Sequence, residues 1–385
     1  MSMRARMEYL SKQVVRYARR KGKGKSALID EVVAVTGFTR KHAIKVLSGK
    51  VPIAGKRGAR RGGRGAHYGE PEARVLRELW RATNYLCSQR LASALETWLP
   101  FCEKRSGGIE EKVRANLESI SASSIERLLR PWKAKEGRSR RCTTRPGTLS
   151  KLIEIRTGSG DIKEPGHIEA DTVAHCGGSM AGDYVYSLTA TDIWTGWTEM
   201  RAFWNKGREE TLLAMKDMEA SLPFALRSFD SDNGTEFINY HLYDYFAGRK
   251  EPVRFTRSRA YQKNDQAHVE QKNWVNVRQL VGYDRLPHIE QARLLNELYR
   301  RHCSLFNNLF LPSMKCVGIE RRPGRKPRRI YDKATTPLER LARCPEADPA
   351  VVARLRALRD STDPFALAKT IRRKIDAILA LKPKP

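Results

Sequence analysis

Cysteine is scarce in this sequence, and no two cysteines stand close together in a metal-binding pattern. Seven cysteines are scattered over 385 residues, and none of them forms a Cys-x-x-Cys motif. This spacing argues against a cysteine-rich zinc site and against a disulfide framework. We therefore expect reduced thiols, as in a protein of the cytoplasm.

Long apolar runs are also missing. No stretch approaches the roughly 18 apolar residues that are needed to cross a bilayer. The basic residues 1–25 are not followed by the continuous apolar segment that a secretory signal requires. We therefore expect neither a membrane partner nor export.

Acidic residues are few at both ends of the chain. The whole sequence has 73 Lys and Arg against 43 Asp and Glu, a net charge of +30, with a pI near 10.1. Residues 1–66 have 18 basic against 3 acidic residues, residues 313–385 have 19 against 8, and residues 164–312 have 17 against 20. Basic flanks of this kind indicate a polyanionic partner, and nucleic acid is the simplest choice. The carboxylates of the near-neutral centre are expected to have a role other than binding phosphate.

Two helices separated by a short turn are predicted near the start of the chain. Gly37 suits the turn, and Thr39 suits the N-cap of the second helix. We interpret this pair as a helix-turn-helix whose second helix presents Arg40, Lys41 and Lys45 to DNA. The alternative is an ordinary helical hairpin with a solvated basic face.

Apolar residues recur at helical spacing between residues 70 and 132, which predicts a packed helical bundle. Serines in the segment 117–129 suit the start of a new helix, so a second helix-turn-helix is one interpretation of this region. Residues 133–151 return to a basic composition rich in Gly, Pro, Ser and Thr, which is typical of a linker.

From residue 167 onward the pattern changes to alternating strands and helices. We predict strands at 168–173, 184–191, 197–204, 225–229 and 253–256, and helices at 209–222, 237–246 and 265–280. This order is a mixed five-stranded sheet with flanking helices. Asp171 lies in its first strand, Asp232 follows its fourth strand, and Glu270 lies on its last helix.

Residues 164–312 resemble the RNase H-like catalytic core of retroviral integrases and of DDE-type bacterial insertion-sequence transposases. Asp171 matches the aspartate of the first strand, Asp232 opens an Asp-Asn-Gly turn, and Glu270 follows a turn that contains tyrosine. Between Asp232 and Glu270 stand 37 residues, close to the usual spacing of the family. Lys263 and Ala267 replace the usual Pro and Gly of the loop, so its shape is expected to differ. The zinc module of retroviral integrases has no counterpart in this chain, which favours the bacterial group.

The resemblance implies a DNA transposase or integrase that cleaves DNA strands and joins them to a target. Asp171, Asp232 and Glu270 are expected to bind two Mg²⁺ ions, for which Mn²⁺ can substitute, with Asp171 between both ions. Hard divalent cations prefer such oxygen ligands, and a metal pair both neutralises a phosphate and activates a nucleophile. The expected partners are double-stranded DNA, namely terminal repeats and target, and further copies of the chain on DNA. The expected location is the bacterial cytoplasm, in association with the nucleoid.

Four further residues near Glu270 are candidate DNA contacts. Gln266 and Asn273 lie four positions before and three after Glu270, so they share its helix face. Tyr261 and Lys272 are the other two candidates.

Two carboxylates are close rivals of the predicted triad. Glu169 shares a strand face with Asp171, and it is either a lesser metal ligand or a polar residue at the sheet edge. Asp230 precedes Asp232 by two positions, but the Asn-Gly pair directly after Asp232 favours the latter.

Three other functions are alternatives to strand transfer. Tyrosine recombinases need a His-x-x-Arg motif, and none of the eight histidines has Arg three positions later. A non-catalytic DNA-binding regulator is the main alternative, but such a protein is expected to have lost a member of the triad. A plain nuclease has less need of two helical DNA-binding segments.

We therefore predict a multidomain protein, with an all-α helix-turn-helix region, a central α/β RNase H-like domain and a small basic C-terminal region. The predicted parts are a first DNA-binding domain with its linker (1–66), a second helical DNA-binding domain (67–135), a basic linker (136–163), the catalytic core (164–312) and a basic region for DNA binding or oligomerisation (313–385).

Overall fold

The chain folds into two compact units. The computed structural model describes residues 3–51, 53, 67–133, 154–155, 162–205, 207–231, 240–257, 269, 272–320 and 328–381. The first unit is Met1–His67 and the second is Tyr68–Pro385. No helix within these ranges is both long enough and apolar enough to cross a membrane.

The described residues of the first unit form three helices, which are α1 (Met3–Arg19), α2 (Lys23–Thr36) and α3 (Arg40–Leu47). Their core consists of Leu10, Ile29, Val32, Ala43, Val46 and Leu47. Gly37 ends α2 in the left-handed conformation with a φ of 70°. The side-chain oxygen of Thr39 accepts a hydrogen bond from the backbone N–H of His42 at 3.4 Å. The predicted glycine turn and threonine cap are therefore confirmed.

The second unit begins with four helices, which are α4 (Glu70–Ala82), α5 (Ser88–Ser106), α6 (Glu111–Ser119) and α7 (Ala122–Lys133). Trp98 of α5 is fully buried, and its ring meets Phe306, Phe310 and Phe365 edge to face. The indole N–H of Trp98 also donates to the carbonyl oxygen of Phe310 at 3.1 Å. These helices thus share one hydrophobic core with elements late in the chain, and the domain boundaries drawn from the sequence stay a prediction.

A six-stranded sheet follows. Its strands are β1 (Glu154–Ile155), β2 (His167–Ala174), β3 (Val185–Asp192), β4 (Thr198–Trp204), β5 (Ser228–Ser231) and β6 (Arg254–Arg257). Their spatial order is β1-β6-β5-β2-β3-β4. The pairs β2/β3 and β3/β4 are antiparallel, and the pairs β2/β5, β5/β6 and β1/β6 are parallel. The sheet is therefore mixed, and β2 lies between a parallel and an antiparallel neighbour.

Helices cover both faces of this sheet. On one face, Ile168, Ala170 and Phe229 pack against α8 (Arg208–Glu219) and α9 (Tyr240–Ala247). Because side chains alternate along a strand, the odd-numbered residues of β2 lie on the other face. There Val173 packs with residues of the later helices.

The later helices contain π-helical segments. Helix α10 consists of the π-helical Asn273–Arg278 and the α-helical Gln279–Val281. Helix α11 begins as Ile289–Leu298 and continues through the π-helical segments Tyr299–Cys303 and Phe306–Phe310. The remaining elements are β7 (Cys316–Glu320), β8 (Arg328–Tyr331), α12 (Pro337–Leu341), α13 (Pro349–Ser361) and α14 (Pro364–Ala380).

The five predicted strands are present in the predicted order, together with a short strand that was not predicted. That strand, β1, is only two residues long and pairs at the edge with β6. The fourth predicted strand begins later than expected, because Ser228–Ser231 and not residues 225–229 pair with β2. The carboxylate of Asp230 therefore lies within a strand and not after it.

Candidate functional site

Asp171 lies on β2, in the face of the sheet that α10 covers. Its Oδ1 atom accepts a hydrogen bond from the backbone N–H of Thr172 at 2.8 Å. Its Oδ2 atom accepts one from the side-chain amide of Asn273 at 2.7 Å. Asp171 keeps part of its surface exposed, whereas Asn273 is 6% exposed. Asn273 therefore fixes the orientation of a carboxylate that solvent still reaches.

Glu169 lies two residues earlier on the same face of β2. It is only 1% exposed, and its Oε2 atom accepts a hydrogen bond from the backbone N–H of Val269 at 3.3 Å. Val269 directly precedes Glu270 in the chain. Val269 and Asn273 lie on either side of Glu270 in the chain. Val269 thus donates to Glu169, and Asn273 donates to Asp171.

Strand β5 adds a third carboxylate beside β2. Asp230 is opposite Glu169 in the parallel pairing, and Ser231 is opposite Ala170. Asp230 is 1% exposed and accepts a hydrogen bond from the hydroxyl of Thr256 at 2.7 Å. This buried carboxylate contributes to the packing of the parallel strands.

Four of the predicted site residues lie outside the described residues. They are Asp232 and Glu270 of the triad and the candidate DNA contacts Tyr261 and Gln266. Asp232 follows directly after Ser231, the last residue of β5.

Lys272 belongs to a group of basic side chains from three parts of the second unit. Burial, together with the positive charges of Arg90 and Arg340, lowers the pKa of Lys272 to about 7. Arg90 of α5 donates to the carbonyl oxygen of Pro312 at 2.6 Å. Arg340 of α12 donates to the carbonyl oxygen of Ser313 at 2.6 Å. Arg90 and Arg340 thus bind the carbonyl groups of two consecutive residues, Pro312 and Ser313. Positive charge is therefore concentrated two residues after Glu270.

His175 follows β2 but has a structural role. It is completely buried, and its Nε2 atom is 2.8 Å from the hydroxyl of Ser187, which in turn lies 2.9 Å from the hydroxyl of Tyr299. Burial, with a smaller effect from Arg278, lowers the pKa of His175 to about 3. The ring is therefore neutral at physiological pH, and it links β2 and β3 to α11.

The three predicted DNA contacts of the first unit lie on the exposed side of α3. Lys41 and Lys45 are exposed, whereas Ala43, Val46 and Leu47 of the same helix are buried. Arg40 is exposed as well, but its guanidinium pairs with Asp30 and donates to the hydroxyl of Ser26 at 2.6 Å. Lys41 and Lys45 are thus the more available cations.

The chemistry of the site suits a hard divalent cation. Among the residues that the structure describes, no three His, Cys, Asp or Glu side chains converge to hold a metal ion. Two of the three predicted ligands, however, are outside that set. The described part supplies the oriented and partly exposed carboxylate of Asp171, which is the type of ligand that Mg²⁺ takes.

Comparison with known proteins gives one strong match. No known protein-family profile matches the chain. The chain is 35% identical over 344 residues to the uncharacterized protein y4rM of Sinorhizobium fredii. The match covers 88% of this chain and 95% of y4rM. The chain belongs to the y4rM family.

One solved structure similar to this y4rM-family protein comes from a retroviral complex. A chain of the simian T-cell lymphotropic virus intasome, solved in complex with PP2A regulatory subunit B56 gamma, is 14% identical with a TM-score of 0.27. The match covers 43% of the y4rM-family chain and 54% of the viral chain.

Two features of the site were not predicted from the sequence. The first is the contact of Asn273 with Asp171, since the helical spacing indicated only that Asn273 shares a face with Glu270. The second is the effect of the charges of Arg90 and Arg340 on Lys272. These two arginines lie 182 and 68 positions away from Lys272 in the y4rM-family chain. Contacts between such distant positions leave no trace in local spacing.

Proposed function

We propose that this protein is a DDE-type DNA transposase or integrase with an RNase H-like catalytic core. In this proposal Asp171, Asp232 and Glu270 form the catalytic triad. The substrate is double-stranded DNA, which the protein cleaves at the ends of a mobile element and joins to a target.

The hydrogen bond between Asn273 and Asp171 carries this proposal. It ties the helix that follows Glu270 to the strand that holds the first aspartate. The contact between Val269 and Glu169 supports the same arrangement from the other side of Glu270. The pairing of β2 with β5 adds further support, because Ala170 is opposite Ser231. The residue after Ala170 is Asp171, and the residue after Ser231 is Asp232.

The triad carboxylates would hold two Mg²⁺ ions, which would neutralise the scissile phosphate and activate a water or a 3′-hydroxyl when bound. The role of the described residues is positional. Asn273 holds Oδ2 of Asp171 through its amide, and Thr172 holds Oδ1 through its backbone N–H. A carboxylate held in this way loses little conformational freedom when it takes a ligand.

The first unit has the features of a DNA-binding domain. In the proposal α2 and α3 act as a helix-turn-helix, with Lys41 and Lys45 on the exposed face of the second helix. The charge of the first 66 residues, 18 basic against 3 acidic, supports this role. Joining two element ends to one target requires more than one active site, so we expect a homo-oligomer on DNA.

A cleavage and strand-transfer assay tests the proposed function. Labelled duplexes with the terminal repeats that flank the gene are incubated in Mg²⁺ or Mn²⁺ with the wild type, Asp232→Asn and Glu270→Gln. We expect joined products from the wild type alone, with DNA binding retained by both variants. Asp244→Asn is the matched control, because Asp244 is an exposed carboxylate on α9.

Two results would replace the proposal by another function. Specific DNA binding without cleavage by any of the proteins would indicate a regulator. Cleavage without joining would indicate a nuclease. Full activity of Asp232→Asn or Glu270→Gln would exclude the proposed triad.

A further inference from the structure

The second unit contains a cavity of about 360 Å³ beside α10. Its walls come from the ends of α4 and α5 and from α10, α11 and α14. Its lining includes Asn276, Phe306, Phe365, Ala368 and Lys369. We call this cavity the α10 pocket. Its volume falls within the range of about 300–1,000 Å³ that is typical of small-molecule sites.

The floor of the α10 pocket combines aromatic rings with amides. Phe306 and Phe365 line the cavity and are buried, and the guanidinium of Arg105 lies over the ring of Phe365, 5.0 Å from its centroid. Asn276 lines the same cavity and is only 6% exposed, yet its Nδ2 atom has no hydrogen-bond partner among the described residues. A buried amide donor without a partner costs free energy, and a ligand with an acceptor would recover it.

The rim of the α10 pocket is positively charged. Arg81, Arg105, Lys369 and Arg372 line it, and no carboxylate is among the lining residues within the described part. Arg105 has two acidic neighbours outside the pocket, since its guanidinium group is 3.6 Å from Asp363 and 4.0 Å from Glu78. The lining as a whole therefore favours a ligand that carries negative charge at the entrance.

Unusual backbone conformations gather around this pocket. All three π-helical segments of the described residues contribute to the lining, through Asn276, Cys303 and Phe306 among others. Asn84 and Tyr85 have φ angles of 54° and 64°, and they are two of the three described non-glycine residues with positive φ. Such segments are destabilising in themselves and are enriched at ligand-binding sites.

We propose that the α10 pocket binds a single unstacked nucleotide. A nucleobase has flat apolar faces and a polar edge with acceptors, and its phosphate is an anion. Those three properties match the phenylalanine walls, the Nδ2 atom of Asn276 and the basic rim. This inference rests on the proposed function, because DNA is what brings nucleotides to the chain.

The position of the pocket favours a nucleotide near the reacting end of DNA. Asn276 is three residues after Asn273 in the π-helical segment of α10, and Asn273 donates to Asp171. The helix that holds Asp171 in place would thus also hold the base. Two sources are possible for the ligand, a nucleotide extruded from a strand or a free mononucleotide.

Two binding measurements on the full chain without divalent metal test the inference and distinguish these sources. In the first, each of the four deoxynucleoside 5′-monophosphates is titrated calorimetrically. In the second, a duplex with one unpaired 2-aminopurine is titrated, and the change of its fluorescence is followed. We expect saturable binding in at least one of them, and a response of the duplex alone would identify the extruded nucleotide as the ligand.

Three substitutions and one control make the test specific to the pocket. Ala368→Phe fills the cavity and should weaken binding more than tenfold. Asn276→Leu removes the amide and should weaken it about five- to tenfold. Lys369→Gln changes only an exposed rim cation and should weaken it about threefold. Ala377→Phe introduces the same ring on an exposed position of the same helix and should leave binding unchanged.

Saturable binding that Ala368→Phe and Asn276→Leu leave unchanged would overturn the inference, and so would the absence of a response in both measurements. Thermal unfolding of each variant shows whether it is folded, and Lys369→Gln keeps the test valid if a buried substitution prevents folding. Neither measurement requires catalysis. Failure of strand transfer with intact nucleotide binding would therefore count against the proposed function and not against the pocket.

Discussion

The side-chain amide of Asn273 donates a hydrogen bond to Oδ2 of Asp171 at 2.7 Å, across 102 positions of sequence. The bond joins β2, the central strand of the mixed sheet, to the π-helical start of α10. Asn273 is buried, whereas Asp171 remains partly exposed. Asn273 is therefore a positioning residue for Asp171 in our account.

Replacing Asn273 by Ala should lower the rate of strand transfer by about 10- to 100-fold, the usual effect of losing a residue that orients a metal ligand. The Mg²⁺ concentration for half-maximal rate should also rise, which a purely structural role would not cause. Asn296→Ala is the control, because Asn296 accepts only a backbone hydrogen bond from Ala202 on β4. An unchanged Mg²⁺ requirement in Asn273→Ala would contradict the positioning role.

The exposed lysines of α3 should contribute to DNA binding through phosphate contacts. Lys41→Ala and Lys45→Ala should each weaken binding across all sequences and reduce the slope of log K against log salt by about 0.9. Fluorescence anisotropy with duplex DNA over a range of salt concentrations measures both quantities. Lys12→Ala serves as the control in the same unit, since Lys12 pairs with Glu8 on α1. Equal slopes for all four proteins would exclude α3 from the interface.

Stability should fall in acid because of His175. Its pKa is about 3 in the folded protein against 6.5 ordinarily, so the unfolded chain binds the proton more readily. The free energy of unfolding should therefore decrease as the pH drops below about 6.5, by roughly 2 kcal/mol between pH 7.5 and 5. In His175→Gln that part of the pH dependence should be missing. Urea unfolding at both pH values measures the difference, and identical pH dependence in the two proteins would show that His175 is not the cause.

Loss of the buried ion pair between Arg201 and Glu199 should lower the free energy of unfolding strongly. Both side chains are 1% exposed, and the guanidinium donates to Oε2 of Glu199 at 3.2 Å and also pairs with Asp217. Arg201→Met leaves Glu199 buried without its cation, so the free energy of unfolding should fall by about 3–5 kcal/mol. Arg293→Met breaks only an exposed pair with Glu290 and should have little effect. Equal denaturation midpoints for Arg201→Met and the wild type would refute this prediction.

The order of strands and helices in the centre of the chain was readable from the sequence, because alternation and helical spacing are local patterns. Apolar alternation located β2 around Asp171, and Thr39 and Gly37 indicated the turn before α3. The short strand β1 was missed, since two residues show no periodicity and the strand exists through its pairing with β6.

The site was predicted only in part. Residue type and spacing selected Asp171, but they assigned Asn273 to DNA and did not reveal that its amide binds Asp171. The α10 pocket was not predicted either, because its walls come from five helices, and its lining residues are separated by up to 291 positions, between Arg81 and Arg372. Sequence periodicity indicates which face of a helix is buried, but not which other helix covers it.

In the proposed function, Asp171 acts with bound Mg²⁺ in joining DNA ends. The most direct measurement compares wild type and Asp171→Asn for joined product on terminal-repeat duplexes, with Mg²⁺ and with EDTA. We predict joined product only from the wild type in Mg²⁺, with equal DNA affinity for both proteins. Joined product from Asp171→Asn at the wild-type rate, or from the wild type in EDTA, would contradict the account.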